Sequence, residues 1–269
     1  MSHCKSCNYP CPRKYKDAWQ TLIQQHPNNG IIQYSSSPFA FPAFIIPKSD
    51  PNILPCWVND YQQLNENTIT DSHPLLQIDD ILNNCAKGKI WVKLDMTNSF
   101  FQTRIHPEHV PFTAVSTPFG LYEWLVMPIG LKNSPAIYQR CVTKALGHLI
   151  SKIHHIYLDN IIIWSNSIVE HEQNIAKVLQ ALSDAHPYCN PKKTYLFCQE
   201  IYFLGHNISS HGIEADTSKT DCVLNWPTPK TVTQVCQFLG LVQYIAVFLP
   251  KIADHTAILN ELTHRDCEK

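Results

Sequence analysis

The chain has 269 residues with a formal net charge of −1 at pH 7; 44% of them are hydrophobic and 16% are charged, which excludes an intrinsically disordered chain. No run approaches the ~18 consecutive apolar residues of a membrane span, and residues 1–16 lack an apolar stretch, which predicts an intracellular protein, cytoplasmic or nuclear and not secreted, whose 11 cysteines are mostly free thiols. The balanced charge argues against a dedicated nucleic-acid binder, which usually carries a basic excess.

Helical and strand-like patterns alternate through the first third of the chain. An amphipathic helix is predicted over 13–25, and a second over 75–85 that Lys87-Gly88 would end. Between them, the apolar run 43–46 predicts a strand, and the chain is expected to return in extended form through Trp57-Val58.

The middle of the chain contains two clear element boundaries. A short apolar run over 90–94 predicts a strand that ends at Asp95. Further on, Ser134-Pro135 predicts a helix start with Ser134 as the N-cap, and the apolar stripe of this helix continues to Ile150.

Two β-prone runs then flank a pair of turn-forming residues. The runs are 156–158 and 161–164, and Asp159-Asn160 lies between them, which predicts a tight hairpin. Because helices and strands interleave in this way, the predicted fold class is α+β.

The last part of the chain contains two capping boxes that predict helix starts. They occupy 167–170 and 231–234, and Pro250 is expected to close the second helix. A strand pair is predicted around 197–208, and 226–229 resembles a linker. The residues expected to face inward from the first of these helices are Ile175, Val178, Leu179 and Leu182.

Two acidic residues stand where an apolar strand ends or turns. Asp95 closes the predicted strand 90–94, and Asp159 occupies the tip of the hairpin. Carboxylates held rigidly at strand ends can bind Mg²⁺, which prefers hard oxygen ligands and leaves room for substrate phosphates. On spacing alone the alternative stays open that Asp159 serves only the turn, since Asp-Asn is a favoured turn pair.

Several motifs resemble those of reverse transcriptases from gypsy-type LTR retrotransposons. They follow the order and spacing of that family from about Pro12 to the end of the chain. The motifs are 93–105 around Asp95, 117–124, 127–136, Tyr-Leu-Asp-Asn at 157–160 in place of the family's Tyr-x-Asp-Asp box, Phe-Leu-Gly-His at 203–206, and 238–241 with Tyr244.

The resemblance implies a right-hand polymerase with fingers, palm and thumb. Residues 1–12 would be an N-terminal tail and 13–89 the fingers and the start of the palm. Residues 90–210 would be the palm, with a fingers insertion at about 106–130, and 211–269 would be the thumb and connection helices. The implied activity is RNA-directed DNA synthesis by two-metal nucleotidyl transfer, with an RNA template, a DNA primer and deoxynucleoside triphosphates as partners.

The resemblance also implies roles for individual residues. Asp95 and Asp159 would bind two Mg²⁺ ions, with Mn²⁺ as an alternative, and Asn160 would be the third catalytic position. Phe100 would exclude a 2′-hydroxyl from the incoming nucleotide, although its residue type alone favours an ordinary core position. The nucleotide-binding residues would be Lys48, Cys56, Phe100, Pro128 and Gly130, and the primer grip would be Phe203, Leu204 and Gly205, while Lys192 and Lys193 fall near the family's leaving-group lysine.

Three departures from the family pattern bear on activity. Asn160 replaces an aspartate, and Cys56 and Gln62 replace two arginines, the first of which would clamp the triphosphate. Two alternatives therefore stand beside the polymerase. One is an inactive retrotransposon relic that folds and binds only template-primer nucleic acid, and the other is an α+β protein with no nucleic-acid role.

A cysteine cluster near the start of the chain is a further candidate metal site. Cys4, Cys7 and Cys11 form C-x₂-C-x₃-C with His3 beside them, a spacing that can hold Zn²⁺. A second ligand pair downstream is missing, so free cysteines at a frayed N-terminus are the favoured interpretation. The sequence contains no signal for an oligomeric state.

Overall fold

A computed structural model of the protein describes residues 9–48, 50, 53–74, 76–147, 149–150, 152–185, 188–249 and 251–263. Helices and strands alternate along these residues, which confirms the α+β class. The chain divides into two compact units. The first comprises Met1–Leu76, Leu94–Ile161 and Ile175–Thr194, and the second comprises Gln77–Lys93, Ile162–Asn174 and Tyr195–Lys269.

The α-helices of the described residues range from 5 to 18 residues in length. They are α1 Lys16–Asn28, α2 Gln62–Glu66, α3 Ile78–Cys85, α4 Ser134–Leu146, α5 Ile168–Ala185, α6 Thr217–Leu224, α7 Val232–Ile245 and α8 Ile252–Glu261. None of these described helices is both long enough and apolar enough to cross a lipid bilayer.

The β-strands of the described residues are short and form three sheets. They are β1 Ile32–Tyr34, β2 Phe41–Ile46, β3 Cys56–Asn59, β4 Ile90–Asp95, β5 Val115–Thr117, β6 Gly120–Trp124, β7 His154–Tyr157, β8 Asn160–Ser165, β9 Tyr195–Cys198, β10 Glu200–Phe203, β11 His206–Ser209 and β12 Gly212–Ala215. The strand orders are β1-β6-β5-β2-β3, β7-β8-β4-β9 and β10-β11-β12.

The five-stranded sheet belongs to the first unit and carries an aromatic core. Strand β2 pairs antiparallel with β3, with Ile45 opposite Trp57, and parallel with β5. The Trp57 ring meets Trp19 of α1 edge-on at 4.7 Å and Trp124 of β6 edge-on at 5.1 Å. All three tryptophans are buried, so α1 is anchored on this sheet by apolar packing.

The second unit contains the β10-β11-β12 meander and the helices α6, α7 and α8. Its strands are antiparallel neighbours along the chain, with Ile201 opposite Ile208 and Phe203 opposite His206. Phe203 and Ile208 are fully buried, which gives this small sheet an apolar face. Alternation of buried and exposed residues along β10 is what a sheet covered on one side requires.

Most local predictions from the sequence are confirmed. The helix predicted over 13–25 begins as a 3₁₀ turn and continues as α1, and the 90–94 strand is β4, ending at Asp95. Both capping boxes form, since Ser167 Oγ accepts the Glu170 N–H and Thr231 Oγ accepts the Gln234 N–H, each at 3.3 Å. The predicted pair around 197–208 is incomplete, because four strands lie between Tyr195 and Ala215.

The α4 helix differs from the prediction at both ends. Asn133 is its N-cap, and Ser134 is already the first helical residue. The Asn133 side chain accepts the Asp71 N–H and donates to the Ile69 carbonyl, so it makes tertiary contacts and no hydrogen bond to the helix N-terminus. The helix ends at Leu146 and does not reach Ile150, because Gly147, a poor helix former, is the C-cap.

The hairpin turn lies one residue earlier than predicted. Strand β7 ends at Tyr157 and β8 begins at Asn160, so Leu158 and Asp159 form the two-residue turn. Leu158 has a φ of 53°, in the left-handed region that non-glycine residues seldom adopt. The reason is tertiary, because the buried side chain of Gln139 accepts the Leu158 N–H.

One inward-facing prediction is wrong. Leu179 is 45% exposed, whereas Ile175, Val178 and Leu182 of the same helix are buried. The buried face of α5 is therefore narrower than its apolar stripe. Leu75, Pro250 and two of the N-terminal cysteines, Cys4 and Cys7, lie outside the described residues, and the assignment of fingers, palm and thumb ranges stays a prediction.

Candidate active site

Asp95 lies at the end of β4, where the strand leaves the sheet. Its side chain is 16% exposed, and its backbone carbonyl accepts the Asn190 N–H at 2.7 Å. The ammonium of Lys193 lies 3.6 Å from Asp95 Oδ1. The sequence predicted that Lys192 and Lys193 fall near the candidate site. Lys193 is the one that lies next to Asp95, whose side chain is largely shielded from water.

A backbone hydrogen bond connects Asp159 to the residue that follows Asp95. The N–H of Met96, the residue after Asp95, donates to the Asp159 carbonyl at 2.8 Å. The backbone of Asp159 therefore contacts the residue that directly follows Asp95, within the first unit. Both carboxylates are half-buried, so each is held in place while part of it faces solvent.

Asn160 interacts directly with its neighbour. Its Nδ2 donates a hydrogen bond of 3.0 Å to Asp159 Oδ1. An amide at this position removes a negative charge and occupies a carboxylate lone pair that could otherwise face a cation. The departure from the family pattern thus changes both the charge and the hydrogen bonding of the site.

A buried glutamine holds the turn that carries Asp159. Gln139 of α4 is 2% exposed; its Oε1 accepts the Leu158 N–H at 3.0 Å, and its Nε2 donates to the Ile156 carbonyl at 3.2 Å. Sequence reasoning missed this residue. The available signal was a polar side chain at helical spacing with the buried Val142 and Leu146.

A second glutamine holds the segment after Asp95. Gln102 Nε2 donates to the carbonyls of Thr97 and Tyr188, and its Oε1 accepts the Tyr188 N–H at 2.8 Å. The Thr97 N–H also donates to the Tyr188 carbonyl at 2.9 Å. This residue falls within the first predicted motif, but nothing in the sequence indicated that it would pair with a segment 86 residues away.

Phe100 lies in a 3₁₀ turn that follows Asp95 and is half-buried. Its ring meets Tyr138 edge-on, with centroids 5.8 Å apart and an interplanar angle of 86°. Tyr138 is 2% exposed, and no described group lies within hydrogen-bond distance of its hydroxyl. Burial, followed by the nearby charge of Asp159, raises the pKa of this hydroxyl well above its usual value.

Lys48 and Cys56, the predicted triphosphate contacts, lie on the β2–β3 hairpin, and Gln62, predicted only as structural support, lies at the start of α2. Ile46 at the end of β2 pairs with Cys56 at the start of β3, so exposed Lys48 and half-buried Cys56 lie at the same end of this hairpin. Gln62 is the exposed first residue of α2, and its N–H donates to Asp60 Oδ1 at 3.1 Å. A cysteine at position 56 cannot donate the pair of charged hydrogen bonds with which an arginine guanidinium binds a phosphate.

Gly130 lies where two backbone segments approach closely. Its φ is 112°, and a Cβ atom there would lie 2.4 Å from the Asn59 carbonyl oxygen. Asn59 Nδ2 donates to the Ile129 carbonyl at 3.0 Å, and Asn65 Nδ2 donates to the Gly130 carbonyl at 2.8 Å. Pro128 is buried next to this contact, so the 128–130 loop is rigidly held.

The predicted primer grip lies in the second unit. Phe203 is fully buried, and the turn after it has φ values of 48° at Leu204 and 83° at Gly205. The Tyr244 hydroxyl donates to the Leu204 carbonyl at 3.3 Å, and its ring stacks on His206. A Cβ at Gly205 would lie 1.5 Å from the Tyr244 hydroxyl oxygen, so any other residue at this turn would displace the Tyr244 side chain.

The donor set of the first unit fits Mg²⁺ in the way that nucleotide-processing sites bind it. Asp95 and Asp159 supply hard carboxylate oxygens from adjacent segments. Within the described residues no group of three or more histidine, cysteine or acidic side chains is placed to hold a metal ion. Mg²⁺ usually relies on one or two carboxylates plus substrate phosphates, so two aspartates suffice.

Comparisons with known proteins agree with the motifs. The family model described as reverse transcriptase (RNA-dependent DNA polymerase) matches residues 46–208. The Retrovirus-related Pol polyprotein from transposon 297 of Drosophila melanogaster is 35% identical over 98% of this chain and 26% of its own length. The corresponding polyprotein from transposon gypsy of the same species is 33% identical over 95% of the chain and 25% of its length.

Solved structures show the same fold. Foamy viral protease-reverse transcriptase in complex with double-stranded DNA superimposes with a TM-score of 0.89 at 24% identity, covering 97% of this chain and 46% of that one. The same protein with an RNA/DNA hybrid gives 0.84 at 24% identity, covering 98% and 35%. The chain spans about a quarter of the curated relatives named above. With its fold, motifs and relatives in agreement, the chain belongs to the reverse transcriptase family, as a reverse transcriptase domain of the gypsy-type LTR retrotransposon Pol polyproteins.

Proposed function

We propose that this chain is an RNA-directed DNA polymerase domain that extends a DNA primer on an RNA template. The observation that carries the proposal is the Met96 N–H hydrogen bond to the Asp159 carbonyl, which sets the two candidate catalytic aspartates on adjacent segments. The family's reaction adds a deoxynucleotide to a primer 3′-hydroxyl and releases pyrophosphate.

Asp95 and Asp159 would hold the divalent cations, with the Asn160 carbonyl oxygen as a weaker neighbour. Two bound Mg²⁺ ions would supply charge stabilisation for the attacking and leaving oxygens of the phosphoryl transfer. The protein's own contribution is to position the carboxylates through the Met96 and Asn190 backbone contacts. Lys193, whose ammonium lies 3.6 Å from Asp95 Oδ1, would place a positive charge near the phosphates of a bound nucleotide.

Nucleotide selection would fall to residues around Phe100. Its ring is supported edge-on by Tyr138, so it presents a firm surface to the sugar of the incoming nucleotide. Lys48, Pro128 and Gly130 would complete the nucleotide site. Phe203, Leu204 and Gly205 would contact the primer strand.

The template-primer partner is supported by the solved relatives. Foamy viral protease-reverse transcriptase has been captured with double-stranded DNA and with an RNA/DNA hybrid. The net charge of −1 weakens the general attraction to phosphates, and two missing arginines, at Cys56 and Gln62, contribute to that deficit. Binding is therefore expected to be tight only at low ionic strength.

The second candidate function is a relic that binds template-primer without extending it. The hydrogen bond from Asn160 to Asp159 Oδ1 favours the relic, because the Asn160 amide directs an N–H donor at an oxygen that would otherwise be available to a metal ion. Loss of one electrostatic group at such a site costs ~2.7–4 kcal/mol of transition-state stabilisation, or 10²–10³ in rate. Cys56 adds a further loss at the triphosphate.

Primer extension separates the two candidates. The protein is mixed with a DNA primer annealed to an RNA template and all four deoxynucleotides, in Mg²⁺ or Mn²⁺, with Asp95→Asn as the blank. Extension above the blank supports the polymerase. Salt-sensitive binding of the hybrid with extension equal to the blank supports the relic, and a folded protein that shows neither contradicts both.

A further inference from the structure

The two candidate catalytic segments share an unusual form of support. Each is held by one glutamine side chain whose amide both donates to and accepts from the backbone. Gln139 does this on the Asp159 side and Gln102 on the Asp95 side. These four hydrogen bonds join helical segments to the parts of the chain that carry the aspartates.

Gln139 acts on the turn itself. It accepts the N–H of Leu158, the residue immediately before Asp159, and donates to the Ile156 carbonyl at the end of β7. Leu158 holds a φ of 53°, which its side chain disfavours. Without the Gln139 acceptor, this N–H would lose its partner and the turn would relax toward an ordinary conformation, which would move the Asp159 side chain.

Gln102 acts on the opposite segment. Its amide pairs with both backbone groups of Tyr188 and also donates to the Thr97 carbonyl. Tyr188 lies two residues before Asn190, whose N–H donates to the Asp95 carbonyl. Gln102 therefore ties the residues that follow Asp95 to the segment that contacts Asp95 from the other side.

A glutamine is the side chain that suits both places. A neutral amide offers a donor and an acceptor at the end of a long stem, whereas glutamate, lysine and methionine each lack at least one of the two. Gln139 is 2% exposed, so its hydrogen bonds are shielded from competing water. We infer that Gln139 and Gln102 are positioning residues that hold Asp159 and Asp95 in the geometry needed to bind divalent cations.

This inference rests on the proposed function. Its test measures metal binding directly and does not depend on polymerisation alone. Mn²⁺ is titrated into the protein, and free Mn²⁺ is measured by electron paramagnetic resonance. Asp95→Asn with Asp159→Asn gives the background. Gln139→Met and Gln102→Met, which keep side-chain length but remove the hydrogen bonds, are expected to weaken Mn²⁺ binding by about 10-fold or more, the usual effect of losing a group that orients a metal ligand.

A matched control shows whether the effect is specific to the active site. Gln180 on the exposed face of α5 donates to Asp184, so Gln180→Met removes one glutamine hydrogen bond elsewhere in the chain. It is expected to leave Mn²⁺ affinity unchanged.

The possible failures are distinguishable. If the parent binds Mn²⁺ no better than the double-aspartate variant, the proposed metal function fails. If the parent binds well and both folded methionine variants match it, the positioning role is overturned. Should Gln139→Met not fold, as thermal unfolding would reveal, the half-buried Gln102→Met decides the question alone. In a variant that is active as a polymerase, weaker Mn²⁺ binding should raise the Mn²⁺ concentration needed for primer extension, with little change in the KM for the hybrid.

Discussion

The side-chain amide of Asn160 donates a hydrogen bond of 3.0 Å to the carboxylate of Asp159. This pair replaces two adjacent carboxylates, which would repel each other and share the charge of bound cations. This hydrogen bond orients the Asp159 carboxylate. If the site binds Mg²⁺ as proposed, the missing charge and the amide donor of Asn160 would lower its affinity for the ion.

Asn160→Asp is expected to raise primer extension in Mg²⁺ by about 10²–10³-fold, because it restores a negative charge and removes the amide donor. The measurement is the single-nucleotide incorporation rate on an RNA template at saturating substrate. Asp159→Asn in the Asn160→Asp background is the control and should return the rate to the blank. An unchanged rate in a folded Asn160→Asp protein would place the defect elsewhere.

Cys56→Arg is expected to lower the KM for deoxynucleotides by about 10- to 100-fold, since a bidentate, charge-assisted contact with a phosphate contributes about 1.5–3 kcal/mol. Cys56 and exposed Lys48 lie at the same end of the β2–β3 hairpin, so the new guanidinium would add a second positive charge at the end where Lys48 lies. Cys56→Lys adds the charge without the planar fork and should recover only part of the effect. Equal effects of arginine and lysine would contradict bidentate recognition.

Tyr138→Leu is expected to reduce the preference for deoxynucleotides over ribonucleotides by about 2- to 10-fold, because the edge-on ring pair that supports Phe100 is lost. Incorporation of each nucleotide class is compared in the Asn160→Asp background to ensure a measurable rate. Tyr138→Phe keeps the ring and removes a buried hydroxyl that forms no hydrogen bond with any described group. This control should preserve selectivity and stabilise the protein by about 1 kcal/mol.

Gly205→Ala is expected to destabilise the protein by more than Gly212→Ala does. Both glycines have positive φ, 83° and 128°, but a Cβ at Gly205 meets the Tyr244 hydroxyl whereas nothing lies within 4 Å of one at Gly212. Backbone strain costs about 1–3 kcal/mol at each site, and overpacking adds about 1–3 kcal/mol at Gly205. Urea unfolding measures both. Equal losses would mean that Tyr244 moves aside freely.

Stability is expected to fall as the pH drops below about 6.5, partly because of His171. Burial lowers the pKa of this fully buried histidine, against opposing contributions from the Trp91 backbone and Glu170. A lowered folded pKa means that the unfolded chain takes up the proton first, so the stabilisation present above pH 6.5 is lost on acidification. His171→Gln should flatten the dependence of unfolding free energy on pH between 7.5 and 5.5. An unchanged slope would assign the effect to other groups.

Local patterns in the sequence predicted most elements and the candidate residues. The strand ending at Asp95, the hairpin around Asp159 and both capping boxes form as their spacing indicates. These signals depend on residues within a few positions of one another. The family motifs added Phe100 and the primer-grip turn, which spacing alone did not distinguish from ordinary core and loop residues.

Two of the errors occurred at positions where a distant residue makes a specific contact with the element boundary. The turn falls on Leu158-Asp159 because Gln139, 19 residues earlier, accepts the Leu158 N–H. The α4 helix begins after Asn133, whose side chain accepts a hydrogen bond from a segment 62 residues away instead of capping the helix. Neither partner lies within the short stretch of sequence from which the turn or the helix start was predicted.

The sequence by itself predicted which residues would carry the chemistry of this protein, namely one aspartate at a strand end, one in a hairpin turn, and an asparagine in place of a third. Only the tertiary structure decided that Met96 would pair with Asp159, that Asn160 would donate to the Asp159 carboxylate, and that two glutamines would hold the segments on either side. The reason is physical. Residue type and spacing set local conformation, whereas the burial of apolar surface and the need to satisfy buried polar groups select which distant segments meet.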